Sequence, residues 1–199
     1  MNHIIFDIGN VLLNYQPLEY LNKYYSKDIS EDLYKIIFQS PEWIELDKGT
    51  IPIQEVINIL SLKYPKYNQE IELILNHWTD MMTPITKNVE IAKKLKQNGY
   101  HLYLLSNFHK VAFDQMIHKY DFFQLFDGQI ISSHVHLLKP NKDIYIALLN
   151  KYDLQPQDCL FIDDTRINTL AAMSIRIKTI YLPYQNDLKQ ELTKLNINI

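Results

Sequence analysis

The sequence predicts an α/β fold in which a parallel sheet carries helices on both faces and contains one all-helical insertion. Three observations predict this class: five short apolar runs suited to buried strands, amphipathic helical patterns between the later runs, and a long stretch of helical patterns alone after the first run. Strands separated by helices pair in parallel, because the helical connection crosses the sheet and returns the chain in the same direction.

The predicted strands are continuous apolar runs that end at polar residues or turns. They span residues 3–7, 100–105, 129–131, 159–162 and 178–182. Strands buried on both faces lack the apolar–polar alternation of half-exposed strands. These runs therefore fit a sheet that is covered by helices on both sides.

Amphipathic patterns predict helices between the later strands, at residues 89–97, 110–118, 144–152 and 167–174. In the first of these, Val89, Ala92 and Leu95 recur at helical spacing, lysines lie on the opposite face, and Gly99 is a suitable stop. This alternation of strand and helix is typical of a doubly covered parallel sheet.

A long helical segment follows the first strand. Four stretches with helical spacing, residues 17–25, 31–39, 53–62 and 69–82, follow one another without an intervening strand, and prolines and Gly49 mark the turns between them. The pattern predicts a helical subdomain over residues 16–84, inserted into a core domain formed by residues 1–15 and 85–199.

Composition and charge restrict the class of protein. The 199 residues are 47% hydrophobic and 22% charged, a balance typical of a compact folded domain, and the single cysteine, Cys159, lies in an apolar run. A formal charge of −3 without a basic cluster argues against nucleic acid, because phosphate-backbone binding rests on a basic surface. There is no secretory signal and no apolar stretch of ~20 residues. We therefore expect a cytoplasmic protein without membrane association, present as a monomer or weak dimer.

Polar residues follow three of the predicted strands, and a lysine lies shortly after a fourth. In chain order these residues are Asp7, Ser106, Asn107, Lys139, Asp163 and Asp164. Ligands of open parallel sheets bind at the carboxyl ends of the strands, so we expect these side chains to converge on one rim. Crowded carboxylates raise one another's pKa unless a cation neutralises them. Oxygen ligands without paired histidine or cysteine favour Mg²⁺.

These groups together suit phosphoryl transfer. Magnesium would bind phosphate oxygens and orient Asp7 for in-line attack on phosphorus, while Ser106 and Asn107 donate hydrogen bonds to phosphoryl oxygens and Lys139 offsets negative charge. Phosphoryl transfer depends mainly on such positioning and electrostatic stabilisation. The expected partner is a small phosphorylated metabolite.

Four segments, in order and at suitable spacing, resemble the motifs of a known family. They are Phe6-Asp7-Ile8-Gly9-Asn10-Val11-Leu12, Leu104-Leu105-Ser106-Asn107, Lys139-Pro140 and Phe161-Ile162-Asp163-Asp164. The chain resembles the haloacid dehalogenase-like (HAD) hydrolase superfamily, in the branch with a helical cap after the first strand. The resemblance implies a Rossmann-like core with a helical-bundle cap. The Asp-x-Gly-Asn-Val form is similar to that of a phosphatase group that includes sugar-1-phosphate hydrolases.

The resemblance also implies roles for the motif residues. Asp7 would form an aspartyl-phosphate and also bind Mg²⁺, together with the backbone carbonyl of Gly9 and the carboxylate of Asp164, with Asp163 close by. The residues implied to hold the phosphate are Ser106, Asn107 and Lys139.

One position departs from the family pattern. Most phosphatases of this superfamily have a second aspartate two residues after the nucleophile, which protonates the leaving group and activates water, but here that position is Gly9. Positioned acid–base catalysis is worth about 10²–10⁴-fold, so its loss matters. Three explanations would account for the glycine. The substrate could be a sugar 1-phosphate or acyl phosphate, whose leaving group needs little protonation. Alternatively, the protein could be a 2-haloacid dehalogenase, or a weakly active or non-catalytic phosphate-binding protein.

The paired Asp163 and Asp164 favour the magnesium phosphatase among these readings, because a metal-free dehalogenase has no obvious use for two adjacent acids beside its nucleophile. His136 is a second departure, at a position where relatives commonly have glycine. Two roles remain open for it: a contact with substrate, or a solvated loop histidine beside His134.

Overall fold

A computed structural model of the protein describes residues 2–199 and contains one five-stranded sheet. Its strands are β1 (His3–Phe6), β2 (His101–Ser106), β3 (Gly128–Ile131), β4 (Cys159–Asp163) and β5 (Lys178–Tyr181). Every neighbouring pair is parallel, and the order is β3-β2-β1-β4-β5. The strand that ends before Asp7 is therefore central, and the strand order reverses beside it, which is where ligands bind in sheets of this kind. The predicted fold class is confirmed.

Alternate side chains of each central strand face two separate hydrophobic cores. Ile4 and Phe6 of β1 belong to one core, whereas Ile5 belongs to the other. Helices α6 (Thr86–Gln97), α7 (Lys110–Lys119) and α11 (Leu188–Lys194) cover the first face, and α9 (Lys142–Lys151) and α10 (Arg166–Met173) cover the second. Both faces are thus buried, as the unbroken apolar runs predict.

The segment between β1 and α6 is helical. Its helices are α1 (Pro17–Leu21), α2 (Lys27–Phe38), α3 (Pro41–Lys48), α4 (Ile53–Lys63) and α5 (Asn68–His77), with 3₁₀ turns at Pro65–Tyr67 and Trp78–Met81. Buried side chains of this segment, among them Leu33 and Ile71, belong to the same core as the first face of the sheet. Across the described residues 2–199, no helix has the length and apolar character needed to cross a membrane.

The two connections between this helical segment and the sheet lie side by side. The backbone N–H of Asn14 donates to the carbonyl of Thr83 at 2.8 Å, and that of Ile85 donates to the carbonyl of Leu12 at 2.8 Å. The side-chain amide of Asn14 adds a hydrogen bond of 2.8 Å to the Thr83 hydroxyl. Paired entry and exit segments are what an insertion with boundaries near 16 and 84 requires, and we propose those boundaries for the cap.

Two helices in functionally important places have no periodic sequence pattern. Helix α3 is defined by its ends, because the Ser40 hydroxyl accepts a hydrogen bond from the Trp43 backbone N–H and Gly49 closes the helix with a φ of 76°. Helix α8 (Ser132–Val135) is a single turn directly after β3. The glycine that ends α3 lies directly against Ser133 of α8.

Candidate active site

Asp7 directly follows the central strand β1 and receives three hydrogen-bond donors on one oxygen. Its Oδ1 accepts from the backbone N–H of Ile8 at 2.7 Å and from the Ser106 hydroxyl at 2.7 Å, and it lies 2.8 Å from Lys139 Nζ. Within the described residues 2–199, its other oxygen, Oδ2, makes no hydrogen bond. The carboxylate is thus fixed through one oxygen, and Asp7 lines a cavity.

Lys139 lies at the centre of the buried acidic groups. Its Nζ is 2.8 Å from Asp7 Oδ1 and 2.7 Å from Asp163 Oδ2, and its side chain is 2% exposed. Burial raises the pKa of Asp7, and the Lys139 ammonium opposes that rise. Burial alone would lower the pKa of Lys139, but the charges of Asp163 and Asp7 raise it above its usual value. Lys139 therefore stays protonated and forms a buried ion pair with the acids.

Asn107 holds Lys139 in place through the backbone. Its side-chain Oδ1 accepts from the Lys139 backbone N–H at 2.8 Å, and its Nδ2 donates to the Lys139 carbonyl at 3.0 Å. Asn107 also lines the cavity, as do Ser106 and Lys139. The structure therefore brings together all three residues predicted to hold phosphate, and their contact with phosphate stays a prediction.

The adjacent acids at the end of β4 have different surroundings. Asp163 is fully buried, and Asn168 Nδ2 donates to both of its oxygens at 3.1 Å while the Thr165 backbone N–H donates to Oδ1 at 2.7 Å. Asp164 lines the cavity and accepts from Asn10 Nδ2 at 3.0 Å, and burial raises its pKa. Asp164 is thus the member of the pair that lines the cavity, and its role as a metal ligand stays a prediction.

The acidic groups fit a hard divalent cation. One carboxylate oxygen each from Asp7, Asp163 and Asp164 lie within 4.8 Å of one another, and Gly9 borders the same cavity. Three carboxylates face the single ammonium group of Lys139, so the site keeps an excess of negative charge. An all-oxygen donor set with excess negative charge suits Mg²⁺ better than zinc or copper.

A cavity of about 620 Å³ lies above this acidic floor. Its floor comes from the ends of the sheet, and its opposite wall is largely aromatic and comes mainly from the helical cap. The aromatic side chains that line it are Tyr15, Tyr34, Phe38, Trp43, Trp78 and Phe108. The site therefore joins a charged region to an apolar one.

Asp47 is the acidic side chain that the cap contributes to this cavity. Asp47 is not among the site residues predicted from the sequence, and neither are Trp43 and Glu45 of the same helix. Trp43 does line the cavity, whereas the Glu45 carboxylate accepts a hydrogen bond from the Thr50 hydroxyl. The position of Asp47 depends on how α3 docks against the core, so the local sequence does not predict it.

Two histidines lie at the seam between cap and core. His109 is buried and stacks on Trp78 with ring centroids 4.7 Å apart, with the edge of Trp43 at 5.3 Å. Neither ring nitrogen of His109 has a hydrogen-bond partner among the described residues, and burial lowers its pKa to about 3. His136 is exposed, and its Nδ1 donates to the Lys48 carbonyl at 3.0 Å. His136 therefore connects the core to the cap, outside the residues that line the cavity.

A family model described as haloacid dehalogenase-like hydrolase matches residues 4–182. The match covers nearly all of the chain and includes every motif residue described above. The chain therefore belongs to the haloacid dehalogenase-like hydrolase family, which confirms the resemblance at the level of the superfamily.

Several characterised relatives have low but extensive similarity. A sesquiterpene phosphatase from Aspergillus oryzae is 24% identical over 178 residues, covering 89% of this chain and 88% of that protein. A phosphorylated carbohydrates phosphatase from Thermotoga maritima is 23% identical over 190 residues, covering 91% and 84%. A drimenol cyclase from Aspergillus calidoustus is 25% identical over 195 residues, but the chain spans only 36% of its length. The similarity to the cyclase thus concerns one part of a longer protein.

A solved structure shares the whole fold. A HAD family enzyme from Bacteroides thetaiotaomicron, in complex with magnesium and inorganic phosphate, aligns with a TM-score of 0.76 and 21% identity. The alignment covers 96% of this chain and 98% of that one. Core and helical insertion thus occur together in both proteins.

Proposed function

We propose that the protein is a Mg²⁺-dependent phosphatase that forms an aspartyl-phosphate on Asp7. One observation carries the proposal: three donors fix one oxygen of the Asp7 carboxylate, the other oxygen has no hydrogen-bond partner among the described residues, and Asp7 lines a cavity together with Lys139 and Asp164. A carboxylate held in this way is oriented for attack, and its neighbours can stabilise charge that develops on phosphorus.

The relatives support this chemistry. Two of them are named as phosphatases, of sesquiterpenes and of phosphorylated carbohydrates, and the similar Bacteroides enzyme was crystallised with magnesium and phosphate. Asp7, Asp164 and the Gly9 carbonyl would hold Mg²⁺, with Asp163 beside them. The bound ion would supply positive charge against the phosphate oxygens.

The side chains of this protein would divide the remaining tasks. Asp7 Oδ2 attacks phosphorus in line with the leaving oxygen, forming an Asp7–phosphorus bond as the ester bond breaks. Ser106 and Lys139 stabilise the negative charge of the transferred group by hydrogen bonding and by charge. Water then attacks phosphorus, releases inorganic phosphate and restores the Asp7 carboxylate.

The cavity favours a substrate with an apolar group attached to the phosphate. An aromatic wall stabilises hydrocarbon by burial, whereas sugar hydroxyls placed against it would lose hydrogen bonds to water. The sesquiterpene phosphatase is a relative with an apolar substrate. A sugar phosphate, in particular a sugar 1-phosphate, is the second candidate, which the relative acting on phosphorylated carbohydrates supports.

The test is phosphate release from a panel of phosphate esters that includes alkyl phosphates, sugar 1-phosphates and sugar 6-phosphates. We expect turnover with Mg²⁺, none with EDTA, and a loss of at least about 10³-fold in Asp7→Asn. Asp143→Asn, an exposed aspartate in the first turn of α9, is the matched control and should keep wild-type activity.

Two other outcomes would contradict the proposal. No turnover on any ester, by a folded protein that binds Mg²⁺, would establish the alternative of a phosphate-binding protein without catalysis. Release of halide from a 2-haloacid, dependent on Asp7 and independent of metal, would establish a dehalogenase.

A further inference from the structure

Gly9 leaves the proposed reaction without its expected acid–base group. The family motif implies an aspartate there that protonates the leaving group and later activates water. A Cβ built at Gly9 would meet no atom closer than 3.6 Å, the nearest being Tyr15 Cβ, so no neighbouring side chain fills the position. Another group in the cavity must transfer these protons if the enzyme is to cleave ordinary esters.

The cavity offers one unassigned carboxylate. Among the described residues that line it, the acids are Asp7, Asp47 and Asp164. Asp7 is the nucleophile, and Asp164 hydrogen-bonds to Asn10 and belongs to the cluster suited to metal. Asp47 comes from the cap and lies outside that cluster, so it is free for a different role.

Contacts on both sides hold Asp47 in the cavity wall. The Ser132 hydroxyl donates to the Asp47 backbone carbonyl, which docks the end of α3 on α8. The Trp43 side chain and the backbone N–H of His109 lie close enough to the carboxylate to lower its pKa. These contacts link α3 to the loop after β2, so the carboxylate is positioned by the closed cap.

The surroundings of Asp47 suit a group that exchanges protons near neutral pH. Burial raises the pKa of Asp47 to about 7; the Trp43 side chain and the Lys139 charge oppose this rise, and the charge of Asp7 adds to it. Tyr15 lines the same cavity, and burial, followed by the charge of Asp47, raises the pKa of its phenol. A general acid–base group works best when its pKa is near the operating pH.

We propose that Asp47 is the acid–base residue of this enzyme and takes the place of the aspartate that Gly9 lacks. The inference rests on the proposed phosphatase function. As the Asp7–phosphorus bond forms, protonated Asp47 gives its proton to the leaving oxygen, and the alcohol departs. The Asp47 carboxylate then takes a proton from the water that attacks phosphorus, which regenerates both acids.

The decisive test compares leaving groups in Asp47→Asn. Protonation matters for alkyl and phenyl phosphate, whose leaving oxygens are basic, and little for 2,4-dinitrophenyl phosphate. We expect kcat/KM to fall about 10²–10⁴-fold for the first two and less than about ten-fold for the third. Glu45→Gln, a carboxylate on the same helix that contacts Thr50, should leave all three unchanged.

The second half-reaction gives an independent readout. Without a base to activate water, Asp47→Asn should release dinitrophenol in a burst of about one equivalent per enzyme and then turn over slowly. Phosphorylated Asp7 should accumulate, as seen by intact-protein mass. A variant that is equally slow with all three esters and shows no burst would overturn the proposal.

A rescue variant separates proton transfer from substrate placement. The space at Gly9 accepts a Cβ, so Gly9→Asp combined with Asp47→Asn returns a carboxylate to the motif position. We expect the double variant to regain at least about ten-fold in kcat/KM for phenyl phosphate over Asp47→Asn. A double variant that forms the phosphoenzyme from dinitrophenyl phosphate but regains nothing on phenyl phosphate would overturn the proposal.

These results are distinguishable from failure of the proposed function. If the wild-type protein releases phosphate from none of the esters, the proposed phosphatase function is wrong. A wild-type protein whose activity needs Asp7 but whose leaving-group dependence is unchanged in Asp47→Asn refutes the role of Asp47 alone.

Discussion

At the scale of single residues, Lys139 makes the acidic site compatible with burial. Its ammonium contacts both Asp7 and Asp163 and is nearly inaccessible to solvent. A buried carboxylate without a partner is strongly destabilising, whereas one that is paired and hydrogen-bonded is tolerated. One lysine does not neutralise three carboxylates, so the folded site still attracts a divalent cation.

Also at the scale of single residues, His109 should make the stability of the protein depend on pH. The folded protein keeps this histidine neutral down to about pH 3, whereas in the unfolded chain it takes up a proton below about 6.5. The unfolded state therefore binds more protons between these values, and the stability contribution, complete above pH ~6.5, is lost as pH falls toward 3. Relative to His109→Phe, the wild type should lose up to about 1.4 kcal/mol of unfolding free energy per pH unit in that window.

Urea unfolding of both proteins between about pH 4 and pH 8 measures this difference. His109→Phe should also be more stable at neutral pH, because two unpaired ring nitrogens leave the core. His118→Gln, an exposed histidine of α7, is the control and should follow the wild-type pH dependence. A constant difference between wild type and His109→Phe at all pH values would contradict the prediction.

At the scale of elements, the end of α3 determines how the cap sits on the core. Gly49 has a φ of 76°, and a Cβ there would lie 2.5 Å from the Ser133 carbonyl oxygen and 2.9 Å from Ser133 Cα. Gly99 has a similar φ of 87°, but nothing lies within 4 Å of its Cβ position. Replacing either glycine would therefore strain the backbone. Only the replacement of Gly49 would also bring a side chain against the core.

Gly49→Ala and Gly99→Ala should therefore have different effects. Both pay the left-handed backbone cost of roughly 1–2 kcal/mol. Gly49→Ala must also push α3 away from α8, so its unfolding free energy should fall further, and its kcat/KM should fall because α3 carries Trp43 and Asp47. Urea unfolding and steady-state kinetics on one ester measure both effects. Equal losses in the two variants, with unchanged kinetics, would show that the Gly49 contact does not position the cap.

The sheet could be predicted from sequence because its signals are local. All five strands occur within about a residue of the predicted runs, since each is a short apolar segment that ends where the chain leaves the sheet. Helices α3 and α8 have too few turns for a periodic pattern, and α3 depends on its caps, Ser40 and Gly49. Pattern reading therefore missed the two elements that join cap to core.

Some residues of the candidate site could likewise be predicted from the sequence, and others could not. Asp7, Lys139 and Asp164 were predictable because they follow strands whose ends must meet at one rim. Asp47 and Tyr15 reach the cavity only through the packing of the cap, and no spacing relates them to the strand ends. The residues of the cavity floor can thus be recognised from local sequence, whereas the aromatic wall and Asp47 can be located only from the tertiary structure.

At the scale of the whole molecule, the cavity joins two parts of the chain with opposite character. The sheet ends supply charge, and the inserted helices supply aromatic surface, and a shared hydrophobic core packs the two together. The aromatic wall includes Trp43 and Trp78, which also flank His109 at the seam. The same packing that closes the cap thus forms the apolar half of the site.

This arrangement predicts how activity depends on substrate size. Each methylene that enters the aromatic region should contribute about 0.8 kcal/mol, so kcat/KM for n-alkyl phosphates should rise about four-fold per carbon until the cavity is filled. Trp78→Ala should weaken this dependence on chain length, because it removes an aromatic ring from the wall that would contact the alkyl group. The Asp7 floor should stay intact. Steady-state kinetics from methyl to octyl phosphate, with glucose 1-phosphate and glucose 6-phosphate as polar references, measure it. A flat dependence on chain length, together with faster cleavage of the 1-phosphate, would instead assign the site to sugars, because the wall would then contribute nothing by burying hydrocarbon.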